Sequence, residues 1–379
     1  MIDNKNIAFF PGLNALRFFA ALSVIIGHIE LIKFIMGVDN ISHFYERLNF
    51  GGHGVYFFFV LSGFLITYLL LKEKNHTKSI SLKKFYLRRI FRIWPLYYLI
   101  LILGFFVLTH IHIIDFPYFK RHLESNFYNN LWLYLLILPN VAFSIYPAVP
   151  HIGQSWSIGV EEQFYLFWPV LVKKSKQILR LITWSFTLLC IFKVIIFLVS
   201  IKYPHTHWIL YIKKYVAMSK FESMMIGAWG AYIFYENKKK LLSIIYNQWI
   251  FYFSILLFLP LNYYLFNTSL QNGIHIVISF MFLVIILNVS TNKSCRVNLS
   301  NKVLDYLGQI SYGLYMYHLM IIPFVVFVFK TYFSYNGSGI INNILVYSFS
   351  ILFSVVISSF SYHFIEKYFL GIKRKFEVH

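Results

Sequence analysis

The first apolar run, LNALRFFAALSVIIGHIE (13–30), carries Arg17 and His28. An α-helix turns by about 100° per residue, so their spacing returns them to one face, about 16 Å apart along the axis. A cation in that place can hold an anion. A neutral imidazole can take a proton from an attacking hydroxyl. Gly27, beside His28, lets another backbone or a substrate come close. A lone Arg in such a run can snorkel, and a lone His can pack in a core. Both on one face point to chemistry, because ionisable groups inside a membrane span are costly.

A second group lies in QSWSIGVEEQFYLFWP (154–169), where Glu161 and Glu162 are adjacent. Adjacent residues on a helix diverge by about 100°, so only one of the two faces a given cavity. Ser157, Glu161, Tyr165 and Trp168 share a stripe and would bring a hydroxyl, a carboxylate and a phenol together. If this helix is entered from the outer surface, both glutamates lie at the depth of His28. A carboxylate beside a buried His would fix its tautomer and support it as a base. Alternatively, both glutamates are wet at the rim.

A third group is KKFYLRRIFRIWPLYY (83–98), with Arg88, Arg89 and Arg92 at a helix start. Arg88 and Arg92 are one turn apart and can grip one anion together; the alternative is a topology-setting or lipid-headgroup patch. His53 is read as a rim residue. Lys193 sits in mid-span and requires a partner. Lys220 and Glu222 open another span. His318 lies in ISYGLYMYHLMI (310–321), a tyrosine-rich pattern that lines a polar channel or packs. No His/Cys cluster has metal spacing, and neither a phosphate-binding loop nor a G-x-S-x-G elbow occurs.

The elements that must position these residues are membrane helices. The 379 residues are 59% hydrophobic and 13% charged, whereas a soluble domain is roughly a quarter charged. Ten spans are read, at about 13–36, 53–72, 90–110, 155–172, 178–200, 217–235, 247–266, 273–290, 306–330 and 341–368, from runs of the length a bilayer requires. The expected fold is an all-α polytopic transmembrane bundle forming a single domain over 1–379, with no fixed-period repeat. The net charge of +20 comes from bases clustered in short loops. That is a positive-inside pattern and excludes a nucleic-acid-binding domain. The run 131–143 is too short to cross comfortably. If it does not cross, the basic loops 72–92, 173–180, 238–240, 293–302 and 367–375 all share one side. Both termini are then cytoplasmic and 131–143 is re-entrant or interfacial. Cys190 and Cys295 are expected to stay unpaired, and the first span to be retained rather than cleaved as a signal.

Arg17 with His28, then GVYFFFVLSGFLI, FYLRRIFRIWP, SWSIGVEEQFYLFWP, and ISYGLYMYH with SYHFIEKYF follow one another in an order that resembles the acyltransferase-3 family of integral-membrane O-acyltransferases. The resemblance covers nearly the whole chain. It departs at QSW, where a His or Asn often precedes the Ser-Trp pair, and at Lys220, where Arg is usual. No appended extracellular hydrolase-like domain is expected. The resemblance implies an acyl-CoA donor, acetyl-CoA above all, and no metal. The acceptor would be a carbohydrate or lipid-linked glycan, and the location a bacterial cytoplasmic membrane, among its lipids. It implies that Arg88, Arg89 and Arg92 hold the donor phosphates while Arg17 guides the pantetheine end or a pyrophosphate. His28 would be the general base, oriented by Glu161, with Ser157, Glu162, Tyr165 and His318 near the substrate. Ser157 or a tyrosine could carry the acyl group. The rival readings are a transporter of sugars or lipid-linked glycan intermediates, an acyltransferase of the other membrane class centred on His318, and a non-catalytic scaffold. A transporter would show repeated halves with broken helices at mid-membrane, and no such symmetry is present.

Overall fold

The computed structural model describes residues 10–41, 47–111, 116–265 and 273–377. The described residues form helices and no strand, as a chain with no water to satisfy its backbone must. Ten longer helices match the ten expected segments: α1 (Leu13–Ile35), α2 (Phe50–Thr77), α3 (Leu82–Ile102), α4 (Trp156–Lys174), α5 (Ile178–Lys202), α6 (Phe221–Tyr235), α7 (Gln248–Leu265), α8 (Ile274–Thr291), α9 (Ser311–Tyr332) and α10 (Ile340–Ser361). Among the described residues, eight helices are long and apolar enough to cross a membrane. The other two segments, α4 and α6, form helices that fall short of this. At 15 residues, α6 spans only about 22 Å, less than a hydrocarbon core of about 30 Å. The 19 residues of α4 include Glu161, Glu162 and Gln163.

The run 131–143 does not form one helix. Phe127–Leu135 ends, Ile137 takes a left-handed φ of 57°, and Pro139–Ile145 begins again. The broken end is satisfied from α3: the Tyr97 hydroxyl donates to Tyr134 O at 2.8 Å and the Tyr98 hydroxyl to Leu135 O at 3.0 Å. Nine residues reach only about 14 Å, so neither piece crosses.

Contacts gather the five basic loops at one end of the bundle. Lys74 Nζ donates to Val172 O and Ser175 O. Arg88 pairs with Glu73 and donates to Phe376 O. The Gly308 Cα faces the Asn14 backbone, and Gly12 lies against Val289 and Leu299. Asn288 donates to Ile245 O beside the 238–240 lysines. This is the grouping that the charge pattern requires.

Helices α2 and α9 are the buried centre, while α5, α7 and α10 lie at the periphery with large apolar side chains exposed, as lipid contact demands. The closest approach is between α2 and α6. A Cβ on Gly63 would fall 1.9 Å from Met224 O, and one on Gly227 would fall 2.0 Å from Val60 O. Small residues let membrane helices meet backbone to backbone. Gly227→Leu should therefore force the pair apart and lower stability by at least about 1–3 kcal/mol, the usual cost of overpacking. Thermal unfolding in detergent checks this, with Gly371→Ala as a neutral control, since a Cβ there meets nothing within 4 Å.

Candidate active site

A cavity of about 300 Å³ opens among α1, α2, α3, α4 and α9. Its polar lining includes Arg17, Arg89, Arg92, Ser62, Glu161 and Tyr165. Arg17 comes from the first turns of α1 and donates to Asn14 Oδ1 at 3.1 Å, one turn earlier. Arg89 and Arg92 come from the start of α3, whose first turn is capped by the Ser81 hydroxyl. The Arg89 guanidinium lies 5.6 Å from the Phe85 ring centre and 5.7 Å from that of Tyr165. Its Nε is buried without a hydrogen-bond partner. Among the described residues none of these three arginines is in a salt bridge. Packing three cations beside one carboxylate leaves the cavity positive, and charge in a low-dielectric interior requires a counter-charge.

Arg88 turns away from this group. It pairs with Glu73 at 3.1 Å and reaches Phe376 O, so Arg88 does not line the cavity with Arg92; Arg17 and Arg89 do. The reason is local: Glu73 also accepts from the Ser81 backbone N–H. It thereby holds the α2–α3 turn and takes Arg88 as its counter-ion.

Along α4 the expected stripe is present. Ser157, Glu161 and Tyr165 face the cavity. Ser62 donates to Glu161 Oε1 at 3.1 Å and Tyr165 donates to Glu161 Oε2 at 2.8 Å, closing a network between α2 and α4. Trp168, next on the stripe, donates to Thr67 Oγ1. Glu162 points elsewhere and accepts from Trp94 Nε1 at 3.1 Å. It does not line the cavity.

The depth of Glu161 differs from expectation. α4 does not start at a surface. Gln154 and Ser155 are buried, and Gln154 Nε2 donates to Met316 O within α9. Irregular backbone at this depth is stable only where protein satisfies it. Starting inside the protein, α4 brings Glu161 level with Arg17 rather than with His28, and Arg17 is within electrostatic reach of Glu161, Arg89 and Arg92.

His28 has another partner. Its Nδ1 lies 2.9 Å from Nε2 of His318, on α9. The two rings are 4.9 Å apart between centres. His28 is half-buried; His318 is wholly buried. The pair joins the cavity through Tyr315, whose ring lies 5.8 Å from that of His318 and whose hydroxyl is 2.7 Å from Ser157 Oγ. Both hydroxyls also reach Gln154 O, that of Tyr315 at 2.9 Å and that of Ser157 at 3.5 Å. Tyr312 and Tyr315 place the tyrosine-rich stretch on the cavity wall. The room beside Gly27 is taken by the backbone of Gly51.

A separate ionic cluster forms where Lys193 and His275 both meet Glu222 Oε1. This is the partner that Lys193 requires. Lys220 lies 5.7 Å from the Tyr56 ring centre nearby. His53, expected at the rim, is instead 2% exposed, among Tyr56, Phe258 and Phe282.

Sequence comparison decides the family. The acyltransferase-3 profile, described as an acyltransferase domain, matches residues 10–363. The chain belongs to this family. It is 29% identical to a provisionally named O-acetyltransferase of Staphylococcus aureus strain COL, over 97% of this chain and 59% of that protein. It is 28% identical to O-acetyltransferase OatA of Staphylococcus aureus, over 94% of this chain and 57% of that protein. The chain thus spans about three fifths of the length of the curated relatives it matches. No solved structure matches it.

Proposed function

We propose that this chain is a membrane O-acyltransferase that moves an acetyl group from acetyl-CoA to a hydroxyl of a carbohydrate or lipid-linked glycan. The whole of 1–379 acts as one domain. The membrane is a bacterial cytoplasmic membrane, the end that collects the basic loops is its cytoplasmic side, and both termini are cytoplasmic.

One observation carries the reading. A cavity inside an apolar bundle holds three arginines without a salt-bridge partner among the described residues, and its wall of Ser157 and Tyr315 leads towards His28. The arginine end suits the phosphates of a nucleotide thioester, which Arg can grip with paired N–H groups. The largely apolar remainder of the lining suits the pantetheine arm. The thioester lies at the inner end, and the acceptor comes from the His28 side.

The chemistry then needs one base. His28 takes the proton of the acceptor hydroxyl as its oxygen attacks the thioester carbonyl carbon. The tetrahedral intermediate collapses, the C–S bond breaks, and the CoA thiolate leaves. It takes the proton back from His28 as CoA–SH, and the acetyl ester remains on the acceptor. Direct transfer needs no acyl-enzyme, and the Ser157 hydroxyl is already committed to Tyr315. Glu161 holds Ser62 and Tyr165 in place at the donor end and keeps that end from being wholly cationic.

Calorimetric titration of the purified chain with acetyl-CoA tests the donor half. The expected result is saturable binding that free CoA competes with and a neutral pantetheine thioester does not match. Equal affinity for the neutral thioester would remove the role given to the arginines.

A further inference from the structure

We propose that His318 is a positioning residue: its Nε2 lone pair accepts a hydrogen bond from His28 Nδ1–H and so presents His28 Nε2, unprotonated, to the acceptor hydroxyl. The inference rests on the acyl-transfer reading of His28 and adds to it the reason that His28 can act as a base at one defined nitrogen.

The argument follows the protons. His318 Nδ1 lies 3.2 Å from Leu314 O, one turn earlier on α9. A carbonyl oxygen only accepts, so Nδ1 of His318 carries the hydrogen. A neutral imidazole has one N–H, which leaves His318 Nε2 as a bare acceptor. That acceptor is 2.9 Å from His28 Nδ1, so His28 must carry its own hydrogen on Nδ1. The reverse arrangement, with His318 donating from Nε2, would turn a bare Nδ1 against the Leu314 oxygen, lone pair to lone pair. A doubly protonated His318 would place a cation at a side chain with no exposed surface, a costly state without a carboxylate partner.

With Nδ1 occupied, His28 has its free lone pair on Nε2, and its ring is the exposed member of the pair. When Nε2 takes the acceptor proton, the imidazolium still donates from Nδ1 to His318, which therefore stabilises the charged intermediate without itself changing protonation. His318 has no exposed surface and is not among the residues that line the cavity, so it does not itself meet a substrate. This assigns it a different part from the substrate contact that the sequence suggests. The role is the one a buried carboxylate plays behind a catalytic His, here filled by a neutral imidazole, as suits an apolar interior.

The test compares His318→Gln with His318→Leu in the full chain. The Gln side chain reaches the Nε2 position with an amide oxygen that can accept from His28; Leu fills the space and cannot. The expected result is that His318→Leu lowers kcat by about 10²-fold or more, within the range that loss of a base's orientation produces. KM for acetyl-CoA should stay within about twofold, while His318→Gln recovers most of the lost kcat. Nitrogen-15 NMR of histidine-labelled parent, with His28 assigned by its loss in His28→Gln, should show a protonated Nδ1 and a bare Nε2. An Nε2-protonated His28 in the parent overturns the proposal, whatever the variants do. So does His318→Leu turning over within about threefold of the parent while His28→Ala is inactive, or His318→Gln as inactive as His318→Leu. A parent that transfers no acetyl group would instead defeat the proposed function, and the NMR tautomer would still decide this inference.

Discussion

A His28→Ala chain inserts normally, binds acetyl-CoA like the parent, and loses about 10²–10⁴-fold in turnover, the contribution of a positioned base. Donor binding is spared because His28 is not among the residues that line the cavity with Arg17 and Arg89. Packing predicts the opposite. The imidazole of His28 is half-buried, and a purely structural role would give lower yield with normal activity per folded molecule. Acyl transfer per monodisperse protein in detergent separates the two outcomes. Activity above about a tenth of the parent would mean that His28 is not the base.

Arg89→Gln and Arg92→Gln each weaken acetyl-CoA binding, and Arg88→Gln does not. A hydrogen bond to a charged group is worth about 1.5–3 kcal/mol, so each of the first two should raise the dissociation constant by roughly 10–100-fold. Arg88 is engaged by Glu73 and Phe376. Its loss leaves Glu73 buried without a counter-ion, which lowers stability rather than donor affinity. Because these bases also set orientation, each variant is first checked for correct insertion by a reporter fused at the C-terminus. Equal weakening by all three substitutions would favour a diffuse lipid-headgroup patch over a donor site.

Much of this architecture is legible in the sequence because it follows from one-dimensional rules. Apolar runs of bilayer length mark the helices, and the basic loops sort the ends. Helical periodicity separates Glu161, which lines the cavity, from Glu162, which is turned to Trp94. The same periodicity places Ser157, Glu161 and Tyr165 together. What periodicity cannot supply is the level at which one helix meets another. Counting from a membrane surface puts Glu161 at the level of His28, but the 146–155 segment enters the protein and α4 begins beside Met316. Nothing in a spacing of 290 residues joins His28 to His318; only the packing of α1 on α9 does. Arg88 and Arg92 share a face, yet a carboxylate on the preceding helix claims Arg88. That competition depends on the tight α2–α3 turn, which the sequence shows only as a loop rich in lysine. The Lys193–Glu222–His275 cluster was equally hidden, although an unpaired lysine in mid-span signalled that some partner must exist.

The central claim is that one bundle binds a CoA thioester at its arginine end and delivers the acyl group to a hydroxyl beside His28. Its most direct test is the fate of the label when purified protein in proteoliposomes is given acetyl-CoA labelled in the acetyl group together with a surface-glycan acceptor. The account predicts ester-linked label on the acceptor, released by mild base, with one CoA thiol appearing per acetyl group transferred and both products formed about 10²-fold or more slowly by His28→Ala. Acceptor crossing the membrane with no thiol released and no label gained would contradict it and identify a transporter.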